Sequence, residues 1–495
     1  MPSEIETTIT RRGALKLASG ALAAAAPVLK PSHAFSASDA GPTGFNNAQA
    51  GGLENVPLTR LFGKPPAGLE GVLYRNGPGQ FTRGGQSLSH WFDGDGFIRA
   101  FRITEDSASL TARFVDTPKR RRDEAADAFV TFGFGTQGSD DAGLRHPDDA
   151  NAANTSLLMV DDQLWALWEA GGPYVINPET LGTKGLKILR SDLAHMPFSA
   201  HPKIEPDGRI WNFGSSPDHP RMFLWRLSPG GALETAALID LPRASYLHDW
   251  AMTRTKLIIP LAPWIAEAER APQVCRLRWR PEEGMKILVI DKDDLERRRI
   301  YDLPAGFLFH TGDAYEEPDG TIRFDACIAD RPTLDAVDGA RIIQGRRMAR
   351  PEPVATMVIL HPDGGASIEK TPFTAEFPRI DPRRAGLKRD HLFAASEGAI
   401  PPQNSYRFNA LMAVDWRNGE RDMFDFGEDT LIEEHLYVPN PSSHSQGWLV
   451  GAGINLKERA TELYVFDSQH LSEGPVVAWR APLALPIGFH GVWRF

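Results

Sequence analysis

Short apolar segments that follow tight turns recur along most of this chain, and this pattern constrains the fold more than any other feature. The chain has 495 residues, of which 45 are Gly and 39 are Pro, about one turn-forming residue in six. The tripeptide Pro-Asp-Gly occurs three times, and Ile210–Gly214 and Thr321–Phe324 follow two of these turns. Each unit predicts a strand entered through a turn, and no long helical periodicity interrupts the series. The units share no strict sequence period, so we expect an all-β fold, either a β-propeller with diverged repeats or a large sandwich.

The charge balance excludes one broad class of function. Lys and Arg number 54 and Asp and Glu 64, which gives a formal net charge of −10 at pH 7. A nucleic-acid-binding protein needs a basic face, so an acidic chain of this kind argues against that role. Hydrophobic residues make up 42% and charged residues 24% of the chain, which is ordinary globular usage.

The first 34 residues have the features of an export signal rather than of a folded domain. Arg11 and Arg12 precede an Ala- and Leu-rich run that ends near Leu29, and a small-residue cleavage site follows at Ala34. Paired arginines before a modest apolar stretch indicate twin-arginine export to the periplasm, with membrane association as the open alternative. The run is shorter than the roughly 20 residues that a membrane span needs. We therefore assign 1–34 to the signal peptide, 35–52 to a linker and 53–495 to a single domain.

Several common catalytic patterns are missing from the sequence. It contains no Gly-x-x-x-x-Gly-Lys-Ser/Thr, Gly-x-Ser-x-Gly or His-Glu-x-x-His motif. P-loop nucleotide-binding, α/β-hydrolase and zincin interpretations therefore lack their usual support.

Four of the 14 histidines lie in apolar, strand-like surroundings: His201, His248, His310 and His490. A buried imidazole must form a hydrogen bond or bind a metal, and four of them on separate repeats can converge on one axis. Imidazole ligands suit iron, copper, nickel and zinc, so the residue type alone leaves the metal open.

A set of ordered motifs across the mature chain resembles the carotenoid cleavage oxygenases, a family with apocarotenoid-cleaving and stilbene-cleaving members. The motifs are Tyr74–Gly79, His90–Gly96, Asn154–Ser156, Leu167–Gly171, Ala200–Lys203, His248–Asp249, Phe309–His310, Glu376–Arg379 and Phe489–Gly491. The resemblance implies a seven-bladed β-propeller with a dome of loops and helices over one face. It also implies a single Fe(II) on the axis, held by the catalytic ligands His201, His248, His310 and His490.

The resemblance further implies three glutamates behind the histidine ligands. It pairs Glu169 with His248, Glu376 with His310 and Glu434 with His490, and it leaves His201 without a carboxylate. A carboxylate that accepts the outer ring N–H fixes the tautomer and orients the ring. Glu433 stands beside Glu434, which leaves that assignment open by one position.

By the same resemblance, the expected activity is that of an oxidoreductase that incorporates O₂. We expect it to cleave one conjugated C=C bond of a carotenoid or apocarotenoid to two carbonyl products. A stilbenoid-cleaving (lignostilbene-type) dioxygenase, a catalytically inactive propeller that serves as a binding protein and a zinc hydrolase are the alternatives. Stilbene-cleaving relatives carry a lysine in the region where this chain has none between Lys119 and Lys184, which favours the carotenoid substrate unless Arg145 replaces it.

Peripheral membrane contact is a further expectation. Phe129–Phe134 and Ile258–Trp264 are predicted either to form an apolar patch that collects a polyene from a membrane or to be core segments. Pro118–Ala128 is predicted to be a short, charged helix with a solvated face.

Overall fold

The computed structural model describes residues 42–139, 144–267, 272–346, 348, 352–402 and 406–495. The predicted signal peptide and residues 35–41 of the linker lie outside the described residues. Within the part that is described, no helix is long and apolar enough to cross a membrane.

The described residues form seven antiparallel sheets of four or five strands, arranged as the blades of a β-propeller. The predicted seven-bladed, all-β fold is thereby confirmed. From the inner to the outer strand, the blades are as follows. Blade 1 contains Gly491–Arg494, Gly71–Arg75, Phe97–Ile103, Ala108–Phe114 and Leu53–Pro57; blade 2 contains Ser156–Val160, Gln163–Leu167, Tyr174–Ile176 and Thr183–Leu186; blade 3 contains Lys203–Ile204, Ile210–Ser215, Arg221–Leu227 and Leu233–Asp240; blade 4 contains Ala251–Met252, Lys256–Leu261, Met285–Asp291 and Arg298–Leu303; blade 5 contains Phe307–Glu316, Ile322–Ala329, Val354–Leu360 and Ala366–Thr374; blade 6 contains Glu376–Arg379, His391–Ser396, Ala410–Asp415 and Glu420–Asp425; blade 7 contains Thr430–Pro439, Gly447–Asn455, Ala460–Asp467, Val477–Arg480 and Thr59–Gly63.

The Pro-Asp-Gly tripeptides make tight turns, as predicted. Gly208, Gly320 and Gly364 have φ values of +87°, +88° and +101°, a left-handed conformation that side chains with a Cβ adopt poorly. The second strand of blade 5, Ile322–Ala329, follows the turn at Gly320 and is buried on both of its faces, because neighbouring blades pack on either side.

The two ends of the described chain close the propeller. Leu53–Pro57 is the outer strand of blade 1, and Thr59–Gly63 is the outer strand of blade 7. Gly491–Arg494 returns from the C-terminus to form the inner strand of blade 1, where it pairs with Gly71–Arg75. The last residues of the chain are therefore drawn to the propeller axis.

The helices lie in loops. The loops between blades, and those between the second and third strands of a blade, lie at the face at which the inner strands begin and cover it. The α-helices are α1 (Pro118–Ala126), α2 (Gln273–Arg276) and α3 (Ala336–Ile343). The 3₁₀ helices are Trp91–Asp93, Pro147–Ala150, Ser191–Leu193, Pro281–Glu283, Pro382–Arg384 and Leu471–Glu473, and two small hairpins pair Thr82–Arg83 with Gln86–Ser87 and Trp264–Ala266 with Leu277–Trp279.

The structure decides the expectations about the charged helix and the two apolar segments. Helix α1 ends at Ala126, two residues before the predicted end at Ala128, and it has the predicted solvated face, with Arg121 and Glu124 exposed. Its other face is buried, and Lys119 lies there between Asp95 and Asp123 at 2.8 and 3.0 Å. The two apolar segments do not form an exposed patch. Ile258, Ile259 and Leu261 are fully buried in blade 4, and Phe129 is buried beneath the loops.

Candidate metal centre

The four predicted histidines occupy matching places in four blades. His201 and His248 lie just before the inner strands of blades 3 and 4, His310 lies near the start of the inner strand of blade 5, and His490 immediately precedes the inner strand of blade 1. Inner strands surround the propeller axis, so side chains at the same end of each strand meet there.

The Nε2 atoms of these histidines converge on one point. Nε2 of His248 is 2.9 Å from that of His201 and 3.2 Å from that of His310, and Nε2 of His310 is 3.1 Å from that of His490. The candidate ligand atoms of all four lie within 4.8 Å of one another.

Three of the rings are held by carboxylates through the other nitrogen. His248 Nδ1–H donates to Glu169, and His310 Nδ1–H donates to Glu376. His490 Nδ1–H donates to Glu434 Oε1 at 2.8 Å. His201 Nδ1 lies 3.9 Å from Asp249 Oδ1, beyond hydrogen-bond reach. The structure therefore shows the three pairs that the sequence predicts, and it leaves the fourth ring without a carboxylate partner.

This arrangement fits a metal cation by the chemistry of its donors. A neutral imidazole that donates its Nδ1–H presents a lone pair at Nε2, so lone pairs of three rings face one another at contact distance. Two nitrogens bound at right angles to one ion at about 2.1 Å lie about 3.0 Å apart, which matches the observed separations.

Two of the rings are neutral, as that role requires. Burial lowers the pKa of His490 to about 3 and holds the pKa of His201 well below its ordinary value, which keeps both rings neutral. Burial also acts to lower the pKa of His248, but the Glu169 carboxylate outweighs it and raises that pKa, as expected for a ring whose N–H is donated to an anion.

Glu433 and Glu434 are both buried, and they have different partners. Consecutive residues of a regular strand point to opposite faces, but the pairing register shifts between Ile432 and His435, which indicates a bulge there. Glu433 accepts hydrogen bonds from Arg99 Nη1 and the Gly488 amide, both at 2.6 Å. The bulge thus settles the one-position ambiguity in favour of Glu434 as the partner of His490.

A buried ionic network holds the C-terminal histidine in place. Arg75 donates to Glu433 at 3.1 Å, to Glu434 at 2.5 Å and to the Phe489 carbonyl at 2.7 Å. Glu434 also accepts from Arg379 Nε at 2.8 Å and from the Gly491 amide at 2.9 Å. Burial opposes ionisation of Glu434, but Arg379, His490 and Arg75 outweigh it and lower its pKa.

Sequence reasoning did not find these arginines. Arg75 and Arg379 lie inside motifs that resemble the family's, and Arg99 lies in an ordinary strand. The sequence feature that could have predicted them is the pair Glu433-Glu434 in an apolar run, because two buried carboxylates require cationic partners. Gly488 belongs to the same network, since a Cβ there would lie 1.7 Å from Arg99 Nη2.

The histidines form part of the wall of a cavity beneath the loops. The cavity contains about 1200 Å³ of empty space, including its open mouth. Its aromatic lining residues are Trp91, Phe92, Phe132, Phe134, Trp168, Phe309, Phe377, Tyr406, Phe408 and Phe489. His248, His310 and His490 share this wall with their glutamate partners Glu169 and Glu376.

Asp93 fixes the loop that covers one side of the cavity. Its carboxylate accepts hydrogen bonds from the amides of Phe134, Gly135 and Thr136. Gly133 to Gly138 has the spacing Gly-x-Gly-x-x-Gly, but it neither follows a strand nor opens a helix here. A dinucleotide-binding loop needs that context, so we interpret these glycines as positions of close packing. A Cβ would meet Asp93 at Gly133, His90 at Gly135 and the backbone of Phe132 at Gly138.

A second cluster, His146, Asp148 and His195, is less suited to a metal. The rings of His146 and His195 stack with centroids 3.5 Å apart and planes 8° apart. One ion cannot lie in the planes of two stacked rings, so this orientation favours a packed pair held by the 2.8 Å bond from His195 to Asp148.

The fold and the site define a propeller with four converging, largely buried histidines that could hold a metal ion. Residues 45–494 match the model of the family described as RPE65, retinal pigment epithelial membrane protein. The chain belongs to this family, and the resemblance to the carotenoid cleavage oxygenases is confirmed.

The chain is similar to characterised members along most of its length. It is 27% identical to apocarotenoid-15,15'-oxygenase of Synechocystis sp. over 460 residues, covering 87% of this chain and 91% of the relative. It is 26% identical to resveratrol cleavage oxygenase 1 of Aspergillus fumigatus, covering 89% and 92%. A cobalt-substituted crystal structure of the Synechocystis oxygenase matches with a TM-score of 0.78 and 25% identity, over 88% of this chain and 94% of that one.

Glu376, which accepts the Nδ1–H of His310, should strengthen metal binding. In Glu376→Gln, the side chain keeps its shape and one acceptor oxygen but loses the charge that polarises His310. We expect a 10- to 100-fold loss of metal affinity, the usual effect of removing such a partner. Titration with Co(II), followed by its visible absorption, measures this affinity.

Glu397→Gln is the matched control. Glu397 pairs with Arg407 on a neighbouring loop and contacts none of the four histidines. Equal Co(II) affinities for Glu376→Gln and the unmodified protein would show that the carboxylate does not support a ligand.

Proposed function

We propose that this protein is a non-haem Fe(II) dioxygenase that cleaves one conjugated C=C bond of a carotenoid or apocarotenoid. The alkene and O₂ give two carbonyl products, each with one oxygen atom from O₂. The observation that carries the proposal is the convergence of four imidazoles, three of which are held by carboxylates and line a largely aromatic cavity. The cobalt-substituted relative supports a divalent metal at such a site, and the resemblance to the family selects iron.

The chain's own residues would position the metal and the substrate, and they would keep water out of the site. When bound, the iron would supply the activation of O₂, which no protein side chain provides. His201, His248, His310 and His490 would hold the ion, and Glu169, Glu376 and Glu434 would keep three of these rings oriented. No side chain of the site needs to act as a nucleophile, because both carbonyl oxygens come from O₂. The aromatic walls would bury the polyene faces and exclude water. The depth at which the polyene binds then decides which bond is cleaved.

The charges of the cavity favour a polyene over a stilbenoid. In the stilbene-cleaving members that this chain resembles, a lysine engages the phenolic hydroxyl, so a stilbenoid site of that type calls for a free cation. Among the described lining residues, the one lysine is Lys119, and its ammonium is already paired with Asp95 and Asp123. Arg145 is exposed and does not line the cavity. The similarity to resveratrol cleavage oxygenase 1 keeps the stilbenoid reaction as the second candidate.

We also propose that the mature protein is periplasmic and that residues 1–34 are removed on twin-arginine export. The paired Arg11 and Arg12 and the small-residue site at Ala34 support this proposal. Intact mass of the periplasmic protein should correspond to a chain that begins at Phe35. A full-length mass in the membrane fraction would instead favour an uncleaved anchor, which would also make membrane contact the simplest route for an apolar substrate.

Anaerobic reconstitution with Fe(II) followed by O₂ uptake tests the reaction. We expect rapid uptake with an apocarotenal, stoichiometric formation of two carbonyl products and ¹⁸O from ¹⁸O₂ in both. A hydroxystilbene should be cleaved at least about tenfold more slowly, because its hydroxyl would be buried without a cationic partner.

His248→Ala is the control for a metal-dependent reaction. Faster turnover of the hydroxystilbene would assign the protein to the stilbenoid branch. Stoichiometric iron without any uptake would instead indicate an inactive propeller that binds its ligand.

A further inference from the structure

Glu352 is an acidic residue in an otherwise largely apolar part of the cavity wall. It lies two residues before the third strand of blade 5, and it lines the cavity with Ile342, Met348, Tyr406 and Phe408. Its Oε1 atom is buried and has no hydrogen-bond partner in the described structure. A buried carboxyl oxygen without a partner costs free energy, so its position on a binding surface calls for an explanation.

Its polar neighbours on this wall are already engaged. The Tyr406 hydroxyl donates to the Ile432 carbonyl at 2.9 Å, and Glu376 accepts from His310 and from the Phe377 amide. Glu352 differs from both of them. No atom of the described residues pairs with its Oε1 atom, so a bound ligand or water would have to supply that hydrogen bond.

The surroundings of Glu352 favour a neutral carboxyl group. Burial raises the pKa of Glu352 to about 8; Arg407 acts to lower it, and Glu376, Glu397 and Asp338 add to the rise. Arg407 is the cation among these groups, and it is paired with Glu397. At neutral pH the side chain therefore offers one O–H donor and one carbonyl acceptor.

A neutral carboxyl in an apolar wall can recognise one kind of group on a polyene. The conjugated chain has no hydrogen-bonding atoms, whereas an apocarotenoid has an oxygen at the end where a longer carotenoid was cleaved. A hydrocarbon end against Glu352 would leave the carboxyl unpaired, and sites of this type reject ligands that lack the matching polar group.

We propose that Glu352 donates a hydrogen bond to a terminal carbonyl oxygen of the substrate and so selects apocarotenoids with an aldehyde end over hydrocarbon carotenoids. This specificity role rests on the proposed function, because it requires a polyene in the cavity. Glu352 makes no contact with the four histidines, so its expected effect is on binding rather than on the metal.

The experiment compares two substrates of equal polyene length, one ending in an aldehyde and the other in a methyl group. The ratio of their kcat/KM values is measured by O₂ uptake for the unmodified protein and for Glu352→Leu and Glu352→Gln, each reconstituted with Fe(II). We expect a ratio of about ten for the unmodified protein and about one for Glu352→Leu. The ratio should fall because the KM for the aldehyde rises, while its kcat changes little. Glu352→Gln should keep most of the ratio, since the amide also offers a donor and an acceptor. The ratio is independent of the fraction of enzyme that is folded and loaded.

The pH dependence separates recognition from a structural role. The ratio for the unmodified protein should fall as the pH rises through about 8, because the ionised carboxylate has lost its donor. Glu352→Gln has no such ionisation, so its ratio should stay constant. Glu369→Leu, an exposed position on the outer strand of the same blade, is the matched control and should leave the ratio unchanged.

The outcomes distinguish this inference from the proposed function. A ratio that is the same in Glu352→Leu and the unmodified protein would overturn the role of Glu352 while leaving polyene cleavage intact. A ratio that rises with pH would also contradict it, because an ionised carboxylate cannot donate a hydrogen bond to the aldehyde oxygen. Failure of the unmodified protein to cleave either polyene would instead contradict the proposed function.

Discussion

The candidate metal centre depends on buried carboxylates that hold imidazole rings by their outer nitrogens. Four rings from four blades must direct Nε2 to one point, and a ring that is free to rotate would lose that direction. Glu169, Glu376 and Glu434 each accept an Nδ1–H bond, which fixes both the rotation and the tautomer of the ring. Each carboxylate comes from a blade that supplies no histidine, namely blades 2, 6 and 7. Ligands and their supports thus involve all seven blades, and the centre forms only when the propeller closes.

Closure of the propeller also places His490 in the histidine cluster. Chain ends usually fray, yet His490 lies five residues from the end. The inner strand that follows it pairs with Gly71–Arg75. Arg75 and Arg99 bridge Glu433 and Glu434 to the backbone carbonyls of Phe489 and Pro486, just before His490. Removing one member of such a network leaves a buried charge unpaired, which typically costs about 3–5 kcal/mol. The last strand is therefore held by electrostatics as well as by its ladder of hydrogen bonds.

Much of the fold and the ligand set could be predicted from the sequence, because those features are local. The turn glycines and short apolar runs predicted strands, and the histidines were recognisable by their apolar settings and motifs. Features that depend on tertiary contacts were not predictable. The bulge that turns both Glu433 and Glu434 inward has no local signature, and Lys119 is buried by Asp95, which belongs to a distant loop. Nothing in the segment around Glu352 indicates that its carboxyl group lines the cavity.

X-ray absorption at the iron edge tests the central claim most directly, since it reports the ligands of the bound ion. The protein loaded with one equivalent of Fe(II) should show nitrogen or oxygen neighbours at about 2.1 Å, with the outer-shell scattering of four imidazoles. His201→Ala should reduce that count to three. A first shell with sulfur, or with fewer than three imidazoles in the unmodified protein, would contradict a tetrahistidine centre.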